Sequence, residues 1–174
     1  IGGSQVYLKE GEVFTLEELM KAMMIHSAND AAYAISEHAA GSIDEMIKLM
    51  NDKTKILGMN NTEFHSIHGL PPEKDQKEDL TTCSDLVVLS RELIKYPKVI
   101  EWTGTVTDSF RHGKFVLSNT NKLLTKLPGT DGLKTGYYHE AGFNLAATAK
   151  KDNVRFIVVV MGSPRGKIRD DVAI

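Results

Sequence analysis

Apolar side chains recur every three or four positions over the first hundred residues, which is the period of an amphipathic helix. In the first of these stretches the stripe is rich in methionine, and we expect it to pack into the core. The second stretch is rich in alanine, whose small side chain allows close packing. The pattern predicts four helices, at about residues 15–25, 29–40, 42–57 and 84–95.

Residues with known end-capping roles flank these stretches. Thr15 with Glu18, and Ser42 with Glu45, have the spacing of a capping box, in which each side chain bonds the other residue's backbone N–H. A glycine follows the second and third stretches and is expected to end each helix. Pro97 follows the fourth stretch, where it is expected to stop the helix.

From about residue 105 onwards the pattern changes to that of β-strands. A turn at His112–Lys114 separates two short runs and predicts a hairpin. Asp131–Thr135 is predicted to be a short strand, closed by Lys134-Thr135-Gly136. A polar segment at 150–153 joins two further strands in a second antiparallel hairpin. The unbroken apolar run Phe156–Val160 predicts a strand that is buried on both faces.

Together these elements predict one partial domain of the α/β class, of the α+β type. A mainly helical part at about 14–104 packs with antiparallel strands at about 105–174, and a long irregular stretch at 60–81 interrupts the helices. A sheet of about three strands leaves apolar edges that invite pairing. We therefore expect the partner strands upstream of Ile1, and we expect the domain to be truncated at both ends.

Composition narrows the range of functions. Of the 174 residues, 41% are hydrophobic and 25% are charged, as in an ordinary folded domain. The formal net charge of −2 argues against nucleic acid as a partner, and no apolar run is long enough for a membrane span. The one cysteine, Cys83, is interpreted as a packed residue at a helix start. The histidines lack metal-ligand spacing, so neither a metal nor another cofactor is predicted.

Two short polar motifs carry candidate chemistry. Ser27-Ala28-Asn29 falls between the first two helices, and Lys134-Thr135-Gly136 falls at a predicted strand end. Taken alone, the first is also a helix N-cap and the second a strand end with a turn glycine. Together and in this order they resemble the S-x-N and K-T-G motifs of the penicillin-binding serine acyltransferases. The S-x-x-K motif of that class is absent, because no serine here has a lysine three positions later.

The resemblance extends over nearly the whole chain. It is to the low-molecular-weight penicillin-binding proteins, the D-alanyl-D-alanine carboxypeptidases, and it implies a penicillin-binding-protein and β-lactamase-like fold. Ala28 stands where glycine is frequent in that family. The matching segments include residues 2–4, 8–12, 26–32, 57–64, 68–70, 131–137 and 141–145.

The resemblance implies roles for individual residues. Ser27 would relay a proton to the departing D-alanine nitrogen, Asn29 would bond the substrate amide and the base lysine, and Lys134 would attract the substrate carboxylate. These three residues form the predicted catalytic set. The predicted substrate-binding set is Lys134, Thr135, Gly136, the oxyanion-hole N–H of Tyr137, and Arg169 for the terminal carboxylate. Arg165 is a rival for that last role, and His68 is assigned to a loop near the site, with an ordering role.

The same resemblance implies the activity, a serine-type D-Ala-D-Ala carboxypeptidase that forms an acyl-enzyme. The implied partners are peptidoglycan stem peptides and β-lactam antibiotics, with no nucleic acid. The implied location is extracytoplasmic, in a bacterial cell envelope, with the parent protein held at the membrane by a missing C-terminal region. Because S-x-x-K carries the nucleophile, this polypeptide alone is expected to be inactive.

Two alternatives stay open on the sequence. One is a class A β-lactamase-like hydrolase, for which Glu73 and Glu78 lie in the appropriate loop but without an E-x-x-L-N pattern. The other is a non-catalytic relative that binds peptidoglycan peptides. Endopeptidases also use the same motifs, so the sequence does not separate them from carboxypeptidases.

Overall fold

The computed structural model describes residues 2–174, in which a mainly helical part is followed by antiparallel strands. This arrangement confirms the predicted fold class. The helices are α1 (Leu16–His26), α2 (Asn29–Ala40), α3 (Ile43–Leu57), α4 (Cys83–Leu93), α5 (Pro97–Thr103), α6 (Leu123–Lys126) and α7 (Gly166–Ala173). The strands are β1 (Thr107–Phe110), β2 (Phe115–Ser118), β3 (Thr130–Tyr138), β4 (Gly142–Lys151) and β5 (Val154–Ser163).

Helices α1 and α3 begin, and helices α2 and α3 end, where the predicted capping residues indicate. Thr15 and Glu18 form both bonds of the capping box at the start of α1. At the start of α3, Ser42 accepts the backbone N–H of Glu45 at 3.2 Å, but only this half of the predicted box is present. Gly41 ends α2 with a φ of 83°, in the left-handed region that glycine adopts without a steric penalty.

The prediction for Pro97 was incomplete, because α4 does end before this residue but the sequence pattern did not predict the helix that follows. Pro97 opens α5 rather than merely stopping α4, because a residue at the first helical position needs no backbone donor and has the fixed φ of proline. Helix α4 ends earlier than predicted, at Leu93. Cys83 is the first residue of α4, as expected, but it is exposed rather than packed, since α4 turns its opposite face to the interior at Asp85.

The stretch at 60–81 is irregular, as predicted, yet it is held firmly by carboxylates and amides. Asp79 accepts the backbone N–H groups of His65 and Ser66 at 2.6 and 2.9 Å, and the Ser66 hydroxyl at 2.7 Å. Asn51 of α3 bonds both the carbonyl and the N–H of Phe64. Residues 64–66 are thereby bonded to α3 and to Asp79 at the far end of the stretch.

The strands form two antiparallel sheets. Strands β1 and β2 form the predicted hairpin, and a second sheet has the order β3-β4-β5. Asp152 and Asn153, both with positive φ, make the tight turn between β4 and β5. The K-T-G motif was predicted to close its strand, and this prediction was wrong. It lies inside β3, because pairing with β4 continues as far as Tyr138 opposite Gly142.

Strand β5 is not buried on both faces, which contradicts the prediction from its apolar sequence. It is the outer strand of its sheet, so its side chains have a strand neighbour on one side only within the described chain. Val154 is 53% exposed and Phe156 is 55% exposed. The inner residues of β5, Val158 and Val160, pack against a small core of Leu123, Leu145, Ala147 and Ala173.

A larger core joins the N-terminal segment, α1, α2 and the β1–β2 hairpin. Its buried members are Val6, Ala22, Ile25, Ala28, Ala31, Phe110 and Leu117. The methionines of α1 were expected in the core, but they are only half-buried. Met23 packs against this core and also lines an open cavity, so the methionine stripe faces both the core and the cavity.

Two opposite charges hold the N-terminal segment in place. The buried carboxylate of Asp30 accepts the N–H groups of Val6 and Leu8 at 3.1 and 2.9 Å. On the other side, the Arg111 guanidinium of the β1–β2 turn donates to the carbonyls of Val6 and Tyr7. The segment at 6–8 is therefore clamped between α2 and the hairpin through its own backbone.

We expect Asp30→Ala to lower the free energy of unfolding by about 3 kcal/mol, because buried N–H groups that lose their acceptor cost ~1–3 kcal/mol each. Urea denaturation followed by circular dichroism measures the effect. The control is Asp44→Asn on the exposed side of α3, which should change stability by less than ~0.5 kcal/mol. Equal changes in the free energy of unfolding for the two substitutions would show that the Asp30 hydrogen bonds do not stabilise the fold beyond an exposed side chain.

Candidate active site

The S-x-N motif lies at a sharp joint between two helices. Helix α1 ends at His26, and Ser27 follows in the left-handed region with a φ of 61°, which is uncommon for a residue other than glycine. Ala28 is buried, and α2 begins at Asn29. The turn directs the Ser27 hydroxyl into the cavity while Ala28 anchors the joint in the core.

Lys134 connects this joint with the sheet. Its ammonium donates to the Ser27 hydroxyl at 2.8 Å and to the carbonyl of Thr135 at 2.7 Å. Part of the side chain is open to the cavity, but the surrounding protein strips water from the ammonium. This lost hydration lowers the pKa of Lys134 to about 8. A lysine of that pKa exchanges its proton near neutral pH, as an acid–base group requires.

Asn29 is held by the N-terminal segment. Its side-chain NH₂ donates to the carbonyl of Gly2 at 2.8 Å, and its backbone N–H donates to the carbonyl of Ser4 at 2.9 Å. Gly3 has a φ of 71°, and a Cβ there would lie 2.6 Å from the Asn29 amide nitrogen. Only glycine therefore permits this close approach, which orients the amide at the edge of the cavity.

The K-T-G strand offers a free edge. Strand β3 pairs with β4 on one side only within the described chain, so its other edge borders the cavity. A Cβ added at Gly136 would meet nothing within 4 Å, which leaves room for a ligand against the backbone. Tyr137 is 56% exposed, and its ring stacks on that of Phe143 at 4.1 Å. An extended peptide can pair with such an edge as an added strand.

Arg169 lies on α7 with its guanidinium largely buried at the cavity wall. Two of its nitrogens donate to Oδ1 of Asp170 at 3.0 and 2.6 Å, and the third reaches the carbonyl of Asn144 at 3.4 Å. Lys126 shares the same Asp170 at 3.1 Å. Arg165, the rival from the sequence, is not part of the cavity wall, which favours Arg169 on position.

His68 lies in the irregular stretch at 60–81 and borders the same cavity as the K-T-G strand. Its Nδ1 accepts the backbone N–H of Leu70 at 3.1 Å, and its ring lies 5.9 Å from that of Tyr33. Lost hydration lowers the pKa of His68, so the neutral ring predominates at pH 7. These contacts fit an ordering role for His68, which stays a prediction.

The cavity between these elements has a volume of about 860 Å³. All the residues predicted from the sequence for the site contribute to its wall: Ser27, Asn29, His68, Lys134, Thr135, Gly136, Tyr137 and Arg169. Glu73 and Glu78, the carboxylates considered for a β-lactamase-like mechanism, do not. Sequence reasoning missed Thr120, whose hydroxyl lies 2.6 Å from that of Thr135. The only signal for it was the polar Asn-Thr-Asn run at 119–121.

Two further observations bear on the chemistry of the chain. Within residues 2–174, His, Cys, Asp and Glu side chains form no group of three suited to a metal ion. In the same range, no helix has both the length and the apolar character needed to cross a membrane.

A serine hydroxyl bonded to a lysine of lowered pKa, beside a free sheet edge, defines a cleft of the penicillin-binding serine acyltransferase class. Comparison of the sequence with family profiles agrees. The profile described as D-alanyl-D-alanine carboxypeptidase, Peptidase_S11, matches residues 1–165. The chain belongs to this family, as its motifs predicted.

Individual relatives give the same result. The chain is 42% identical over 173 residues to the D-alanyl-D-alanine carboxypeptidase DacF of Bacillus subtilis, covering 98% of this chain and 43% of that protein. The chain thus spans less than half the length of this relative. Penicillin binding protein 6B of Escherichia coli superposes with a TM-score of 0.90 at 34% identity, over 99% of this chain and 53% of that one.

A third relative is a structure with an antibiotic. Penicillin-Binding Protein D2 of Listeria monocytogenes, in its ampicillin-bound form, superposes with a TM-score of 0.87 at 33% identity. The match covers 98% of this chain and 70% of that one. These likenesses confirm the penicillin-binding-protein fold that the sequence predicted.

In an NMR titration of lysine side chains, Lys134 should lose its proton at a pH of about 8. Lys167 is the internal comparison, because its hydrogen bond with Asp171 raises its pKa and makes it titrate later. Since lost hydration and not the serine causes the Lys134 shift, Ser27→Ala should leave the transition near pH 8. Titration of Lys134 together with Lys167 would contradict this account of the site.

Proposed function

We propose that this chain is part of a serine-type D-Ala-D-Ala carboxypeptidase that acts on peptidoglycan stem peptides through an acyl-enzyme and binds β-lactams. The observation that carries the proposal is the 2.8 Å bond between Lys134 and Ser27 at the free edge of β3. It brings together a proton-relaying hydroxyl and a cation that attracts a carboxylate, from positions 107 residues apart. Membership of the family supports the same reaction.

In the proposed reaction the substrate peptide lies along β3. The ammonium of Lys134 and the hydroxyl of Thr135 bind its terminal carboxylate, and the open backbone at Gly136 lets the peptide approach the strand. The N–H of Tyr137 serves as one oxyanion-hole donor, an interaction that contributes roughly a hundred- to a thousandfold in rate. The Ser27 hydroxyl, which accepts a hydrogen bond from the Lys134 ammonium, donates its proton to the departing D-alanine nitrogen.

Arg169 is proposed as a second group for the terminal carboxylate. Its guanidinium has five donors, and Asp170 occupies two of them on one oxygen. The pairing holds the planar group at the cavity wall, so little side-chain freedom is lost when a carboxylate binds. Asn29, oriented by the carbonyl of Gly2, is proposed to bond the substrate amide and the base lysine.

The nucleophile is proposed to lie outside this chain. An S-x-x-K segment in a longer protein would supply the attacking serine and its lysine base, and this polypeptide alone is therefore proposed to be inactive. The three relatives described above, of which the chain covers 43%, 53% and 70%, are consistent with such a longer protein. We place that protein in the bacterial cell envelope and propose that a region C-terminal to this chain holds it at the membrane.

Two observations weigh on the alternatives. A β-lactamase-like deacylation needs a carboxylate at the site, and neither Glu73 nor Glu78 borders the cavity. A non-catalytic peptide-binding protein would not require the lowered pKa of Lys134, which suits acid–base chemistry. We therefore prefer the carboxypeptidase to both.

The full-length protein, with the residues before Ile1 restored, should form a covalent adduct with benzylpenicillin on a serine upstream of Ile1. Peptide mass mapping locates the adduct. The present chain, treated in the same way, should form none and should release no D-alanine from an N-acetylated D-Ala-D-Ala peptide. A folded full-length protein that acquires no adduct would instead support the non-catalytic binding protein.

The affinity of the full-length protein for a D-Ala-D-Ala peptide should fall as the pH rises through about 8, because Lys134 is charged below its pKa and neutral above it. KM measured from pH 6 to 10 gives the profile. Lys134→Arg should keep its affinity to higher pH, since a guanidinium stays charged, and Lys134→Met should bind weakly at every pH. The exposed Lys151→Met is the control and should behave like the wild type. An unchanged profile in Lys134→Met would remove Lys134 from carboxylate binding.

A further inference from the structure

A short polar segment, residues 119–121, runs from β2 to α6 and is fixed on both sides of its middle residue. The Asn119 side chain donates to the carbonyls of Thr103 and Thr105 at 3.0 and 2.8 Å. The Asn121 side chain is buried and donates to the carbonyl of Gly132 at 3.1 Å. The Asn119 side-chain oxygen also accepts the N–H of Asn121 at 2.9 Å. These hydrogen bonds hold the backbone of the segment on both sides of Thr120.

Thr120, between the two asparagines, borders the cavity. Its hydroxyl oxygen lies 2.6 Å from that of Thr135, the middle residue of the K-T-G motif. Each hydroxyl has one proton and two lone pairs, so one of the two threonines donates and the other accepts. Which one donates decides what Thr135 presents to the cavity: if Thr120 is the donor, the single Thr135 proton is free to point at a ligand.

We propose that Thr120 is a positioning residue that donates its hydroxyl proton to Thr135, and so directs the Thr135 proton at the carboxylate of the ligand. The choice of the carboxylate as ligand rests on the proposed function. A carboxylate only accepts hydrogen bonds, so Thr135 binds it as a donor and takes the bond from Thr120 as an acceptor. The opposite arrangement would turn the lone pairs of Thr135 towards a negative charge.

This arrangement makes Thr120 a determinant of specificity for a free carboxylate. A carboxamide carries both donors and acceptors, so it can bond Thr135 in either orientation of the hydroxyl. Fixing the Thr135 proton towards the cavity therefore favours the carboxylate more than the carboxamide. The hydrogen bonds of Asn119 and Asn121 hold the backbone of the 119–121 segment, which keeps the Thr120 hydroxyl within hydrogen-bond distance of Thr135.

Whether the Thr120 hydroxyl holds the Thr135 side chain in place can be tested on the present chain without any ligand, and which of the two hydroxyls donates is decided by the peptide preference measured next. The χ1 rotamer of Thr135, read from NMR three-bond couplings to its methyl group, should be single in the wild type and in Thr120→Ser. In Thr120→Val, which keeps the shape but lacks the hydroxyl, it should be averaged over rotamers. The side-chain NH₂ signals of Asn119 and Asn121 show whether the segment stays folded, and Thr120→Ala is the second hydroxyl-free variant. A single Thr135 rotamer in a folded hydroxyl-free variant would overturn the proposal.

The specificity is tested on the full-length protein with N-acetylated peptides that end in D-alanyl-D-alanine or D-alanyl-D-alaninamide. Thr120→Val should raise KM for the carboxylate peptide by roughly two- to tenfold, the range of one neutral hydrogen bond such as that between Thr120 and Thr135, with a smaller change in kcat. KM for the amide should stay the same, and Thr120→Ser should restore the wild-type preference. Equal losses on both peptides would refute a carboxylate-specific role.

The two experiments separate the two claims. A full-length wild type that acts on neither peptide would refute the proposed function, and the Thr135 rotamer would still decide whether Thr120 orients Thr135. Conversely, turnover with an unchanged preference in Thr120→Val would leave the carboxypeptidase standing and remove Thr120 from its specificity.

Discussion

The buried carboxylate of Asp30 is the constraint on which the rest of the site depends. A charge removed from water must be balanced by donors, and the donors here are backbone N–H groups of the N-terminal segment. Once Val6 and Leu8 are fixed, the preceding glycines lie against Asn29 and orient its amide. Arg111 ties the same segment to the β1–β2 hairpin, and the chain leaving that hairpin leads directly to Thr120. The carboxylate thus fixes the side of the cavity that carries Asn29, while the Asn119 and Asn121 side chains fix the segment that carries Thr120.

The site itself is a balance of charge and lost hydration. Lys134 gives up part of its hydration, and its pKa falls to about 8, while two short hydrogen bonds hold its ammonium in place. Arg169 is buried more deeply, but Asp170 lies beside it and keeps the local charge compensated. The cavity therefore has one cation that can exchange its proton and one that cannot, which suits a site that binds an anion and also moves a proton.

Local interactions explain where sequence reasoning succeeded and where it failed. Thr15 and Gly41 form hydrogen bonds within their own helix ends, so a pattern of a few adjacent residues is enough to predict their effect. Pro97 can end one helix or begin the next, and only the path of the chain decides between them. The apolar run around Phe156 predicted full burial, but burial depends on which elements lie beside the strand.

The sequence by itself determined the family, the fold class, the approximate ends of the first four helices and the residues of the two motifs, because these follow from short patterns of side chains; it did not predict α5, α6 or α7. Only the tertiary structure decided that Lys134 meets Ser27, that Arg169 and not Arg165 borders the cavity, and that Thr120 lies against Thr135. The contacts of Lys134 with Ser27 and of Thr120 with Thr135 join residues 107 and 15 positions apart. The pKa of Lys134 depends on how much protein surrounds its ammonium, and this is set by tertiary packing rather than by the adjacent residues in the sequence.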